Sequence, residues 1–111
     1  MKFGSICRIK DTVSTLPPTM ARQLLEAGVV WIDQQKKAGT LLEMYGMAGW
    51  RGVMAIWEAD SAEAIVRIVN LNPMGAFLDH EVYLLADIDE VMKVNIESAK
   101  RAEQLFHASP K

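Results

Sequence analysis

The sequence predicts an α+β fold in which four strands and two helices follow one another in the order βαββαβ. Three observations predict it. Apolar residues alternate in four short segments, they recur every three to four positions in two longer segments, and glycine or proline marks the boundaries between them. This order is the ferredoxin-like split βαβ arrangement, in which a four-stranded antiparallel sheet carries its helices on one face. An extra C-terminal helix follows the unit.

The first strand is predicted at Lys2–Ile9. Successive residues of a strand point to opposite faces of the sheet, so Phe3 and Cys7 share one face. Ile6 and Arg8 share the other face, which makes Arg8 a candidate for lining a pocket there.

The first helix is predicted from about Thr19 to Ala38, after two prolines that suit a first turn and before Gly39. Its apolar residues fall on one arc and its charged residues on the other, as in an amphipathic helix that lies on a sheet. Gly28 lies on the apolar arc, where a mid-helix glycine costs about 1 kcal/mol relative to alanine. This glycine either permits close backbone approach or leaves space for a ligand.

Leu41–Met47 and Val53–Ala59 are predicted to be the two strands of a hairpin. Apolar groups on both faces indicate that both faces of the sheet are covered, one by the helices and one by a second chain. Glu43 and Tyr45 share a face of the first of these strands. Trp50 lies in the connecting loop, where a position in an interface or over a pocket is more natural than core burial.

The remaining elements are a second helix, a last strand and the C-terminal helix. Asp60–Glu63 has a capping signature that opens the second helix, and Asn72-Pro73 ends it. The last strand is predicted at Phe77–Leu85. The C-terminal helix is predicted over about 87–106, and its apolar stripe needs a surface that covers it.

His80 is a candidate base because an imidazole titrates near neutral pH. It lies in the last predicted strand, where its side chain points to the opposite face from Asp79 and Glu81. The alternative is a hydrogen-bonded histidine at a subunit interface, and both interpretations remain open.

Glu43 is the second candidate base. If its face lies under the helices, Glu43 reaches the space beside Gly28, and Arg8 and Tyr45 supply further polar groups to the same pocket. A mostly apolar cavity raises the pKa of a glutamate, whereas a neighbouring arginine lowers it. The alternative is a simple ion pair between Glu43 and Arg8.

Composition limits the class of protein. A chain of 111 residues forms one domain, 1–111, with a core at about 2–86. Half of the residues are hydrophobic, which predicts apolar subunit interfaces and hence a homo-oligomer. The net charge of -2 argues against nucleic acid and anionic membranes as partners. No apolar run approaches the ~20 residues that span a bilayer.

Cys7 is the single cysteine, so an intrachain disulfide is excluded and a reducing cytoplasm is expected. We expect no cleavable signal, because the first strand begins at Lys2. One cysteine and two distant histidines do not make a structural zinc cluster. The sequence therefore predicts a cytoplasmic protein without a metal.

Residues 21–85 resemble muconolactone isomerase and its relatives in the dimeric α/β-barrel superfamily. The segments that carry the resemblance are Ala21–Leu24, Ala38–Thr40, Met47–Gly49, Ser61–Ala64 and Pro73–Val82. The last looks like the family's stretch of proline, an aromatic residue and Met-Asp-x-Glu-Val. The resemblance implies a homodimer or larger ring that isomerises a small unsaturated lactone by moving a proton between carbons, without a cofactor.

The resemblance also implies a carboxylate late in the first helix as the proton shuttle, and the matching position here is Gly28. The polar residues that the family has after the hairpin are replaced by Val53 and Ala55. This chain therefore departs from the family at the positions that matter most for the reaction.

Two classes of function follow. The first is a cofactor-independent isomerase, or an enzyme of a related proton transfer or cyclisation, that acts on a lactone- or enol-type molecule. Its predicted catalytic residues are Glu43 and His80, and its predicted substrate-binding residues are Arg8, Gly28, Tyr45 and Trp50. The second class is a non-catalytic ligand-binding or assembly protein on the same scaffold. A cofactor-free monooxygenase is a further alternative.

Overall fold

The computed structural model describes residues 1–49 and 51–108, so the candidate Trp50 lies outside the described residues. The elements are β1 (Lys2–Ile9), α1 (Pro18–Ala38), β2 (Leu41–Met47), β3 (Gly52–Glu58), α2 (Ala62–Asn70), β4 (Leu78–Leu84) and α3 (Ile88–Ala108). Two short 3₁₀ helices, Asp11–Thr15 and Gly75–Phe77, precede α1 and β4 and were not predicted. The predicted βαββαβ fold with a C-terminal helix is confirmed.

The four strands form one antiparallel sheet in the order β2-β3-β1-β4. The core lies between one face of this sheet and the helices α1 and α2. It consists mainly of Phe3, Trp31, Leu41, Ala55, Trp57, Ile65 and Val69, all of them buried. We call this side of the sheet the helix face and the other side the open face.

Two tryptophans anchor α1 to the sheet. The rings of Trp31 and Trp57 lie 5.7 Å apart, centroid to centroid, and tilted by 50°. The indole Nε1 of Trp57 donates a hydrogen bond of 2.8 Å to Ser5 Oγ, so burial of the indole leaves no unpaired donor.

A β-bulge in β2 decides which side chains face the helices. Leu41 is buried on the helix face. In an unbroken strand Glu43, two residues on, would face the same side. A register shift between Leu41 and Glu43 instead places Glu43 and Tyr45 on the open face, opposite Ile56 and Met54 of β3.

The cap of α2 lies one residue later than predicted. Ser61, not Asp60, is the N-cap residue, and its Oγ accepts a hydrogen bond of 3.1 Å from the backbone N–H of Ala64. Ser61 has an extended backbone, the conformation that lets a side-chain oxygen reach back to the first turn.

The open face of the sheet combines charged residues, such as Arg8 and Glu43, with large exposed apolar and aromatic side chains. Tyr45, Met54 and Tyr83 are 60%, 42% and 52% exposed there. Phe3 and Ile9 of β1 lie on the helix face instead, where Phe3 is buried in the core and Ile9 lines the space beside α1.

Helix α3 projects from the sheet, and the subunit measures 71 × 30 × 25 Å. Its apolar side chains are exposed; Ile88, for example, is 67% exposed. None of the helices described in residues 1–49 and 51–108 is long and apolar enough to cross a membrane.

Candidate functional site

A cavity of about 200 Å³ lies between α1 and the helix face of the sheet. Its lining is almost entirely apolar, with Leu25, Gly28, Val29 and Ile32 from α1 and Met74 and Leu78 from the segment after α2. A largely apolar concave site with few polar groups is the usual form of a small-ligand site.

Gly28 forms part of the cavity wall. It is buried, and a Cβ added to it would have Met74 Cγ as its nearest neighbour at 3.8 Å, an ordinary van der Waals distance. Close approach of the backbone to the sheet is therefore not the reason for this glycine. The structure instead favours the second interpretation, in which the absent side chain leaves space.

The cavity continues inward into a recess of about 20 Å³ beneath the core tryptophans. Cys7 and Asn72 line both spaces, and His80 lines the recess. The combined site is thus an apolar cavity with four polar residues at its inner end, namely Ser5, Cys7, Asn72 and His80.

His80 lies on the helix face of β4, directly opposite Cys7 of β1. Within the described part of the chain, His80 Nε2 is the one buried side-chain nitrogen or oxygen without a hydrogen-bond partner. Leaving such an atom unpaired costs about 1–3 kcal/mol. A ligand in the recess is one partner that would satisfy it.

Burial lowers the pKa of His80, an effect that Asp79 opposes and Lys10 reinforces. The imidazole is therefore neutral at pH 7 and able to accept a proton. The alternative, a hydrogen-bonded histidine at a subunit interface, stays a prediction.

The other polar groups of the recess are Ser5, whose Oγ accepts the hydrogen bond from Trp57, and Cys7 and Asn72. Burial raises the pKa of the Cys7 thiol, although a hydrogen bond with the backbone of Val53 lowers it, so the thiol keeps its proton at neutral pH. The side-chain oxygen of Asn72 accepts a hydrogen bond of 2.9 Å from the N–H of Met74, which holds the amide at the wall. The amide still carries two N–H donors.

The prediction that Arg8, Glu43 and Tyr45 share a pocket with Gly28 is wrong. All three lie on the open face, on the far side of the sheet from α1. An ion pair between neighbouring strands is also excluded for Glu43 and Arg8, because β3 lies between β2 and β1.

Arg8 instead lines an open cleft of about 540 Å³ at one end of the sheet. Two ion pairs border this cleft, Lys10 Nζ to Asp79 Oδ1 at 3.7 Å and Arg51 Nη1 to Asp11 Oδ1 at 3.9 Å. Their side chains are largely exposed, so each pair contributes little to stability. The prediction that Arg8 lines a pocket on its own face holds for this cleft.

Neither Cys7 nor Asn72 was among the site residues predicted from the sequence, where Asn72 appeared only at the end of the second helix. Their position beside His80 depends on the pairing of β1 with β4, a contact across more than seventy residues. Strand alternation was the one local signal. It predicts the face of the sheet on which a side chain lies, but not which residue of the adjacent strand lies beside it.

Lowering the pH should destabilise the fold through His80. Its pKa in the folded protein lies below the unfolded value of about 6.5, so the unfolded chain binds more protons between these two values. The free energy of unfolding therefore falls as the pH drops below about 6.5, and this loss is complete below the folded pKa. Urea unfolding at pH 7.5 and pH 5 measures it, and His80→Gln should lose less stability over that interval than the wild type.

Solved structures with a similar fold include muconolactone isomerase, at 23% sequence identity and a TM-score of 0.69, covering 78% of this chain and 90% of that chain. The chain has the fold of muconolactone isomerase. A further similar structure is 5-chloro-2-hydroxyhydroquinone dehydrochlorinase (TftG) from Burkholderia phenoliruptrix AC1100 in complex with 2,5-dihydroxybenzoquinone. It has 13% identity and a TM-score of 0.58, covering 78% of this chain and 94% of that one.

No protein-family model and no curated protein sequence matches the chain. At these identities the two structures establish the fold and leave the reaction to be argued from the site. Each covers 78% of this chain, and the share left over corresponds in length to the segment that begins at Ile88.

Proposed function

We propose that this protein is a cofactor-independent enzyme that moves a proton on a small, partly apolar lactone- or enol-type molecule. Its fold, which is that of muconolactone isomerase, supports the proposal. The observation that supports the proposal most strongly is His80 Nε2, a buried and unpaired nitrogen at the inner end of an apolar cavity. A base of this kind replaces the carboxylate that the family resemblance implies at the position of Gly28.

In the proposed reaction neutral His80 removes a proton from the carbon next to the carbonyl group. The C–H electron pair moves into the carbonyl, which becomes an enolate, and His80 becomes an imidazolium ion. The imidazolium then returns the proton to the carbon at the other end of the conjugated system, so the double bond shifts with no net change in composition. A neutral base with a pKa near the working pH is the form that such a step needs.

The enolate oxygen requires donors that are fixed before the reaction. The Cys7 thiol, protonated because burial raises its pKa, and the N–H groups of Asn72 are two of the donors that line the recess. The apolar wall around Gly28 accommodates the ring of the substrate and excludes water, which strengthens both interactions.

Glu43, Arg8 and Tyr45 have no role in this site, since they lie on the open face. We propose that this face packs against a second copy and that the protein is a homo-oligomer. The support is its exposed Tyr45, Met54 and Tyr83. Light scattering that gives at least twice the mass of 12.4 kDa for one chain is the expected result.

The alternative function is a ligand-binding or assembly protein without catalysis, which the absence of a carboxylate at Gly28 favours. The two proposals differ in one observable. In D₂O an enzyme of the proposed type exchanges the acidic C–H of its substrate for deuterium, whereas a binding protein does not.

The experiment uses five-membered unsaturated lactones and their open-chain keto acids, first in a thermal-shift screen and then in D₂O. The proposal predicts that a compound that raises the melting temperature also gains deuterium, seen as loss of its proton NMR signal. Stabilisation without exchange in any compound would support the binding protein instead. Failure of every compound to bind would contradict the assigned substrate class.

A further inference from the structure

Helix α3 is an amphipathic helix whose apolar side is largely exposed in the part of the chain that the structure describes. Ile88, Met92 and Phe106 are 67%, 49% and 80% exposed. An apolar surface of this extent is unusual on a subunit that remains alone. The similar structures cover 78% of the chain, and the remaining share equals in length the segment that begins at Ile88, the first residue of α3.

The order of residues on α3 has an internal symmetry. On one side of the helix lie Ile88, Met92, Asn95, Ala99, Ala102 and Phe106, which recur every three to four positions. These residues form pairs that lie equally far from Glu97 on its two sides: Ile88 with Phe106, Met92 with Ala102, and Asn95 with Ala99. We call these six residues the α3 stripe.

We infer that α3 is an assembly helix that pairs antiparallel with α3 of a second copy of this chain, with a two-fold axis near Glu97. In such a pair the mirror-related residues of the α3 stripe meet. Ile88 packs on the partner's Phe106, and Met92 packs on the partner's Ala102. At the two ends of the stripe a large residue thus meets a large one, and nearer the centre the large Met92 meets a small alanine. The stripe is therefore complementary to itself, as a two-fold interface requires.

Asn95 sits near the middle of the stripe and meets the partner's Ala99. A single polar residue in a helix-pair seam lowers stability but fixes the register, because any shift would bury its amide among apolar side chains. Between the two helices, the pairs Met92–Ala102 and Asn95–Ala99 each occur twice because of the two-fold symmetry. Each of these four pairs contains an alanine, so the two helices can approach closely there.

The charges beside the stripe favour the antiparallel orientation. The first turn of α3 is acidic, with Asp89 and Glu90, and its last turn carries His107. An antiparallel pair places Asp89 beside the partner's His107 and Lys93 beside the partner's Glu103. It also places each helix N-terminus beside a C-terminus, which favours the macrodipoles. A parallel pair would bring the two acidic first turns together.

Light scattering of the full chain tests the pairing. The variant Met92→Glu with Phe106→Glu introduces two charges into the stripe, and we expect it to halve the mass of the assembly. The matched control, Arg101→Gln with Gln104→Glu, makes the same change in net charge on the polar side of α3 and should keep the wild-type mass. The core is independent of these positions, so circular dichroism should show both variants folded.

Cross-linking tests the orientation, with Cys7→Ser as the background. We expect a disulfide to form when chains with Ile88→Cys are mixed with chains with Phe106→Cys, and not when either variant is oxidised alone. Cross-linking of Ile88→Cys to itself would overturn the antiparallel pair. An unchanged mass in the double glutamate variant, or a monomeric wild type, would overturn the pairing itself.

Discussion

Replacing His80 by glutamine should reduce the rate of proton transfer by about 10²–10⁴-fold, the usual contribution of a general base. Glutamine approximates the size and polarity of the imidazole but accepts no proton. The variant should therefore still bind the compounds that stabilise the wild type, so that kcat falls much more than KM changes. Deuterium exchange in D₂O, followed by NMR, measures the rate.

The natural control for this variant is His107→Gln. His107 is the other histidine of the chain, and it lies exposed near the end of α3, far from the cavity. It should leave the rate unchanged. The pH profile gives an independent check: because burial lowers the pKa of His80, the wild-type rate should persist below pH 6.5 before it falls. A His80→Gln enzyme with full activity would exclude the assigned base.

Replacing Gly28 by leucine should abolish ligand binding, because a leucine side chain at this point of α1 occupies much of the cavity of about 200 Å³. The backbone has room for the change, since the added Cβ would lie 3.8 Å from Met74 Cγ. The variant should therefore fold and assemble as the wild type does. The thermal-shift response to ligand is the measurement.

Gly28→Ala is the matched control and separates packing from space for a ligand. Alanine removes only a small part of the cavity and favours the helix by about 1 kcal/mol relative to glycine. We expect this variant to be more stable than the wild type and to bind ligand with at most modestly reduced affinity. A Gly28→Leu protein that binds normally would show that the cavity is not the ligand site.

The fold followed from the sequence because its signals are local and agree with one another. Strand alternation, helical periodicity and the glycine and proline boundaries fixed the elements to within a few residues. Where the prediction of the cap of α2 failed, Asp60 and Ser61 are both good capping residues, and only the backbone geometry distinguishes them.

The site followed only in part. Gly28 marked the cavity because a glycine on the apolar side of a helix is a local signal. Glu43 was assigned to the wrong face of the sheet because of the bulge in β2. One extra residue there moves every later side chain of the strand to the opposite face, and nothing in the sequence marks the bulge. The neighbours of His80 depended on strand register, which is a property of the whole sheet.

The nitrogen resonances of the His80 imidazole test the central claim most directly, because they report its protonation state and its partner at Nε2 together. With the chain labelled at histidine nitrogens and His107→Gln removing the second signal, His80 should be neutral at pH 7. Its Nε2 resonance should then shift when a stabilising lactone is added, and should not shift in Gly28→Leu. An imidazole that is already protonated at pH 7, or an Nε2 resonance that does not shift when a ligand binds, would contradict the role of His80 as the base.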